Sequence, residues 1–206
     1  MTIVLENIGK RFNREWIFRS VDYVFESGQS YALLGHNGSG KSTLLSILSG
    51  WLTPTSGRIS WKLDQQDIPQ ERIFAYLGLS APYLEVIEDL TLEEHLHFHA
   101  RFKPFSDEVS LRTIIDLLGL EKHRHKFIKN FSSGMKQRLK LALAIIPSVP
   151  LILLDEPTTN LDREGVDWYL NLMERFSAGK TVIIASNTSR EYSFCAHRLT
   201  IEDYKR

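Results

Sequence analysis

Apolar positions along this chain gather into short unbroken runs separated by amphipathic stretches. Tyr31-Ala32-Leu33-Leu34, Leu151-Ile152-Leu153-Leu154 and Thr181-Val182-Ile183-Ile184-Ala185 carry no charge. Runs this short and this apolar read as strands buried on both faces. Between them the spacing turns helical. Leu44, Leu45, Ile47 and Leu48 form one apolar stripe with Gly50 as its stop, and Leu111, Ile114, Ile115 and Leu118 form another, closed by Gly119. A helix is predicted from about Met135 through Ile146, and a second from about Arg163 to Phe176. From Thr91 to about Lys129 the pattern is helical, with Thr91 and Glu94 spaced as a capping box. The chain up to Gly28 looks strand-rich, with alternation in Val21-Asp22-Tyr23-Val24-Phe25. Arg58-Ile59-Ser60-Trp61 and Ile73-Phe74-Ala75-Tyr76-Leu77 are further predicted strands, the first following a turn at Pro54-Thr55-Ser56-Gly57. Buried runs alternating with helices predict an α/β fold with a mostly parallel sheet flanked by helices. The expectation is one domain over residues 1–206, with an N-terminal antiparallel β-subdomain and an inserted helical subdomain at roughly 78–138.

Leu141 to Leu154 is almost wholly apolar, yet it falls short of the ~20 residues a bilayer requires. Pro147 and Pro150 also divide it. Lys and Arg together number 25, as do Asp and Glu, so the net charge is zero and no overall field points to nucleic acid. Cys195 is the only cysteine, which excludes an intrachain disulfide and suits a reducing compartment. The first residues lack a basic flank followed by a long apolar core, so no signal peptide is expected.

Between the first buried run and its helix lies Gly35-His36-Asn37-Gly38-Ser39-Gly40-Lys41-Ser42-Thr43. It fits G-x-x-x-x-G-K-[ST], and strand and helix flank it as the chemistry requires. Glycines let the backbone turn tightly and aim its N–H groups at phosphate oxygens. The helix then presents its positive end beneath those phosphates. Lys41 is expected to reach the β- and γ-phosphates, and Ser42 to ligate Mg²⁺. Alone, this motif specifies only a nucleoside triphosphate; with the predicted parallel sheet and flanking helices the expected fold is that of a P-loop NTPase.

Two acids, Asp155 and Glu156, end the buried run Leu151–Leu154. Ligands bind at the carboxyl ends of strands in such sheets. Asp155 is placed to hold Mg²⁺, and Glu156, one residue on, to act as general base on the attacking water. Upstream, Ser132 is predicted to cap the helix that begins in Phe131-Ser132-Ser133-Gly134-Met135-Lys136-Gln137, which offers a second anion contact.

Together these motifs resemble the nucleotide-binding domain of an ABC transporter, and the likeness covers essentially the whole chain. Gly35–Thr43 matches the family's Walker A loop, Phe131–Gln137 its L-S-G-G-Q signature, Leu151–Glu156 its Walker B strand, and Pro157–Asp162 its D-loop. The resemblance implies an ATP hydrolase that pairs head to tail, as a homo- or heterodimer, around two MgATP molecules. Ser132, Ser133 and Gly134 would contact the partner's γ-phosphate, and Asp162 would sit at the seam. Phe12 falls where the family stacks an aromatic on adenine, with Trp16 as a rival. Separate integral membrane subunits would carry the substrate, and the ATPase would lie on the cytoplasmic face of the membrane. The segment Ser80 to Glu88, with Tyr83 and Leu84, would line the cleft that receives the membrane partner.

The chain departs from the family's pattern. Ser133 replaces a signature Gly, and Met135 the Gln. No Gln follows the Phe74–Leu77 segment, where the family uses one on Mg²⁺ and water; Ser80 is the nearest polar candidate, since Gln65, Gln66 and Gln70 precede it. Asn187 stands where the family has a switch His, and an amide can donate a hydrogen bond but carry no proton. These replacements imply ATP binding with lowered turnover. A soluble, non-transport ABC ATPase acting as a slow clamp, or a weakly active regulatory subunit, fits the same residues. His95 and His99 lie one helical turn apart, but no acid or Cys completes a metal site, so a solvated helix face is expected. The imidazole of His36 reads as incidental, and His123-Arg124-His125-Lys126 as a solvated helix end.

Overall fold

The computed structural model describes residues 1–106 and 109–205. In chain order its strands and helices are β1 (Thr2–Phe12), β2 (Glu15–Phe25), β3 (Ser30–Leu34), α1 (Lys41–Leu48), β4 (Ser56–Leu63), β5 (Gln66–Ile68), β6 (Leu77–Ser80), α2 (Leu92–Ala100), α3 (Leu111–Leu118), α4 (Ser133–Ile145), β7 (Leu151–Asp155), α5 (Arg163–Phe176), β8 (Thr181–Ala185) and β9 (His197–Thr200). Two sheets result. An antiparallel sheet has the order β2-β1-β4-β5, and a five-stranded parallel sheet has the order β6-β7-β8-β3-β9.

Alternation within the buried strands divides the core in two. Leu151, Leu153, Ile183 and Ala185 face α1 and the antiparallel sheet, packing with Leu44, Leu45, Phe18 and Phe25. Ile152, Leu154, Val182 and Ile184 face the other way, toward Leu139 and Ala142 of α4 and Tyr169 and Leu172 of α5. Both faces of these strands are covered, which explains the continuous apolar runs Leu151–Leu154 and Val182–Ala185. Gly78 shows how closely α4 lies on β6: a Cβ there would stand 1.8 Å from the carbonyl oxygen of Ala144.

The helix caps follow the sequence. The Thr91 hydroxyl accepts the Glu94 N–H at 3.3 Å while the Glu94 carboxylate accepts the Thr91 N–H at 2.8 Å. Gly119 ends α3 with a φ of 67°, a conformation that favours glycine. Ser132 caps α4 by accepting the Met135 N–H at 3.2 Å.

Two expectations fail. Ile73–Leu77 is not a strand: Gln70–Tyr76 forms a 3₁₀ turn, and the strand begins only at Leu77. Ile73 of the turn is buried while Phe74 and Ala75 beside it are exposed, and burial returns only at Leu77, which is not the alternation of a strand. His95 and His99 are not on a solvated face either. They continue the stripe of Leu92 and Leu96, so the helical spacing that aligns the pair also turns it inward. His95 is buried, with its Nε2 accepting the Ile87 N–H at 3.2 Å. His99 stacks on Phe105, and burial pushes it down to about 4. The basic run stays solvent-facing, with Arg124 and His125 pairing with Glu93 at the start of α2.

Candidate functional site

The phosphate loop bridges β3 and α1 and turns on Gly40, whose φ is 109°. A Cβ at Gly40 would strike Ile17 at 2.5 Å, so the loop passes under β2 only because this residue has none. Lys41 is buried and its ammonium donates to the carbonyls of Gly35 at 2.7 Å and His36 at 3.2 Å. On the far side of the same turn Glu202 accepts the His36 N–H at 2.7 Å, and its Oε1 lies 2.6 Å from the His36 Nδ1. Burial pushes the Glu202 carboxyl up, but these contacts with His36 hold it below its ordinary value. The imidazole of His36 is thus part of the loop's anchorage.

A cavity of about 200 Å³ opens over the loop, lined by Ile17, Asn37, Gly38, Gly40, Lys41, Ser42, Thr43 and Glu156. Ser39 is buried and its hydroxyl has no partner. Glu156 enters this cavity from the end of β7. Its φ is 43°, a left-handed conformation rare for a residue with a side chain, and its N–H is held by the Ala185 carbonyl at 2.8 Å. Such strain persists where surrounding bonds over-determine it, and it concentrates at functional sites.

Asp155, one residue earlier, is buried on the α1 side of the sheet and hydrogen-bonds Ser42. Burial raises its carboxyl most; Ser42 and Lys41 act against that rise, and Glu156 and Glu191 add to it. A desolvated carboxylate meeting a hydroxyl at a helix start fits a hard, oxygen-bound cation such as Mg²⁺. Among the described residues no three His, Cys, Asp or Glu side chains converge as a metal site.

Ser80 does not join this pair. It registers with Leu154 and so faces the α4 side of the sheet, opposite to Asp155. Its hydroxyl is buried without a partner. The expectation of Ser80 as a metal ligand is therefore corrected. From the same segment it is Tyr83 that reaches α1, with its hydroxyl 3.3 Å from that of Ser46.

Asn187 follows β8 and donates from Nδ2 to Asn37 Oδ1 at 2.6 Å, which ties it to the phosphate loop. A second cavity of about 340 Å³ is lined by Asn37, Glu156, Thr158, Thr159, Ser186, Asn187, Thr188 and Glu191. Glu156 and Asn37 border both cavities, so the two are neighbouring parts of one site.

Ser132, Ser133, Gly134 and Asp162 lie together elsewhere, around a cavity of about 470 Å³ that includes Met135, Arg138, His123 and Asn160. Two of the four are engaged locally: Ser132 caps α4, and the Asp162 carboxylate caps α5 by accepting the Gly165 N–H at 2.8 Å. None of the phosphate-loop residues lines this cavity. Gln137 fastens the signature helix to the chain after β7 through the Pro157 carbonyl at 2.6 Å.

Phe12 stands at the end of β1, 48% exposed, with the Lys10 ammonium 5.1 Å from its ring centre. Trp16 is flanked by the guanidinium groups of Arg11 at 5.4 Å and Arg19 at 4.4 Å. Sequence reasoning missed Ile17, Thr158, Glu191 and Glu202. The last two touch the site from 33 and 166 residues away in sequence, and no local motif marks them.

Residues 18–159 match the family model described as ABC transporter. The chain is 33% identical to the uncharacterized ABC transporter ATP-binding protein YybJ of Bacillus subtilis, over 88% of this chain and 83% of that one. It is 30% identical to YcbN of the same organism, likewise named an uncharacterized ABC transporter ATP-binding protein, over 91% of this chain but only 62% of YcbN's length. The dimeric cassette MJ0796, solved in a post-hydrolysis state with ADP and Pi, superimposes with a TM-score of 0.82 at 22% identity, covering 96% of this chain and 93% of that one. With a phosphate loop, an acidic strand end and a signature helix in one fold, and with this match, the chain belongs to the ABC transporter family as one of its ATP-binding domains.

Proposed function

We propose that this chain binds MgATP and hydrolyses it with Glu156 as general base, as a dimer that drives separate membrane subunits. One observation carries the reading: Glu156 borders both the cavity over the phosphate loop and the cavity holding Asn187. A carboxylate there can take a proton from a water aligned with the γ-phosphate. Lys41, released from the Gly35 and His36 carbonyls, and the amides of residues 37–43 hold the phosphates. Ser42 and Asp155 would hold Mg²⁺, which would neutralise phosphate charge when bound. Phe12 offers an open aromatic face for adenine.

Dimerisation follows from the separation of parts. The signature cavity with Ser132, Ser133 and Gly134 has anion-binding groups and no phosphate loop of its own, so a second ATPase subunit supplies the nucleotide. That subunit is a second copy or a related chain. Asp162 sits at the seam by this arrangement. Transport is favoured over a soluble clamp by an exposed aromatic pair: Trp51 and Tyr83 are 68% and 43% exposed, and their rings stack at 5.6 Å. Such a patch suits a protein partner. No helix among the described residues is long and apolar enough to cross a membrane; in this reading the ATPase is held at the cytoplasmic membrane face by its partner. Asn187 in place of a His makes the motor a slow one.

Lys41→Ala and Glu156→Gln test the reading together. Lys41→Ala is expected to abolish tight MgATP binding in titration calorimetry. Glu156→Gln is expected to bind ATP without turnover and to form a dimer with ATP and a monomer with ADP by light scattering. Unchanged affinity in the first, or full turnover in the second, overturns the proposal.

A further inference from the structure

Two segments flank Glu156, the one leaving β7 at residues 157–162 and the one leaving β8 at 186–192. Glu191 joins them. It sits in the 3₁₀ turn Ser189–Tyr192 and is 3% exposed. Its Oε1 accepts the Thr158 N–H at 3.0 Å and also the Thr158 hydroxyl. Its backbone carbonyl accepts the buried Tyr169 hydroxyl of α5 at 2.9 Å. Both Glu191 and Thr158 line the cavity shared by Glu156 and Asn187. A buried carboxylate bonded at both ends of a neighbouring residue fixes that residue firmly, because leaving either donor unpaired is costly.

We propose that Glu191 is a positioning residue for hydrolysis, locking the Asn187 segment to the segment that leaves Glu156. The inference rests on the hydrolytic role given to Glu156 above. Without this link Asn187 would keep its bond to Asn37, but the chain just after Glu156 would lose a tie that adds to those of the Ala185 carbonyl on the Glu156 N–H and of Gln137 on the Pro157 carbonyl. The effect should fall on the geometry of the attacking water and not on the phosphate grip, which Lys41 and the loop amides supply from another direction. Oε2 of Glu191 is buried without a partner, so the Oε1 acceptor is the working atom and a Gln, which keeps that oxygen, should serve.

The test compares phosphate release at saturating MgATP, and ATP affinity by calorimetry, for the full chain and its Glu191→Ala, Glu191→Gln and Thr158→Val variants. Misplacing a reacting group by about 1 Å costs about 10²-fold in rate, so Glu191→Ala should lower kcat by 10- to 100-fold on that scale. Its ATP affinity should stay within about threefold of the natural chain, a loss confined to the transition state. Glu191→Gln should restore most of the rate. If Glu191→Ala does not fold, Thr158→Val, which removes only the hydroxyl bond, must still lower kcat with affinity unchanged. A kcat unchanged from the natural chain in both Glu191→Ala and Thr158→Val, or a Glu191→Ala loss that lies wholly in affinity, overturns the inference. Absence of ATP hydrolysis in the natural chain would instead overturn the function on which it rests.

Discussion

Asn187→His asks whether the site is slowed by its own chemistry. In the present geometry the Asn187 amide spends its donor on Asn37 at 2.6 Å. Removing that contact costs about 0.5–1.5 kcal/mol at most, and the bond is exposed, which puts the loss at the low end. Since 1.4 kcal/mol is about tenfold, ATP affinity should fall by no more than a few-fold. A preorganised donor directed at developing charge is worth about 10²–10³ in rate. The natural Asn already supplies part of that, so the expected gain in kcat is about 10- to 100-fold. The gain should appear in kcat with little change in affinity, the pattern of a contact made in the transition state. Phosphate release at saturating MgATP measures the first quantity. Calorimetry in a Glu156→Gln background, where nucleotide survives the titration, measures the second. Refutation would be a natural chain whose turnover is already unaffected by Asn187→His, or a rise in rate explained wholly by tighter ATP binding.

Three further outcomes follow from positions the fold has fixed. His99 is held neutral by burial, and Lys103 and His95 reinforce this, so its value falls from 6.5 to about 4. The unfolded chain takes up a proton first; stability is therefore intact above 6.5 and lost as pH falls toward 4. The loss approaches about 3 kcal/mol. Thermal melting at pH 7 and 4.5 should show a steeper drop for the natural chain than for His99→Gln, and parallel drops would refute it. Gly78→Ala places a methyl 1.8 Å from the Ala144 carbonyl oxygen and should destabilise by about 3 kcal/mol or more, read from urea unfolding; a midpoint unchanged from the natural chain would contradict the close packing of α4 on β6. Tyr83→Cys should crosslink to a membrane subunit in the assembled transporter, and a lack of crosslinks there, with crosslinks from the opposite face, would move the docking surface.

The chain's local chemistry determined a good deal by itself. Leu151–Leu154 and Val182–Ala185 read as strands, because runs this short and apolar suit a strand covered on both faces. Gly40 and Lys41 had to lead from a tight turn into a helix, because the motif encodes a turn, a charge and a helix start in consecutive residues. Capping at Thr91 and Ser132 was equally local, since a hydroxyl and an amide three residues apart find each other without help from the rest of the fold. The inward turn of His95 and His99 was written in the same stripe as Leu92 and Leu96, but polarity argued the other way, and only the packed core could decide between the two.

What the tertiary structure alone decided are the relations between distant segments. Ser80 looked like a site residue by its place in the sequence, yet strand register turned it to the face opposite Asp155. Phe74 and Ile73 looked alike, yet one is exposed and the other buried. Glu202 reaches the His36 amide across 166 residues, and Glu191 reaches Thr158 across 33. An isolated Glu carries no pattern that names its partner, because hydrogen bonding between loops depends on where the sheet delivers their ends and not on the residues beside them.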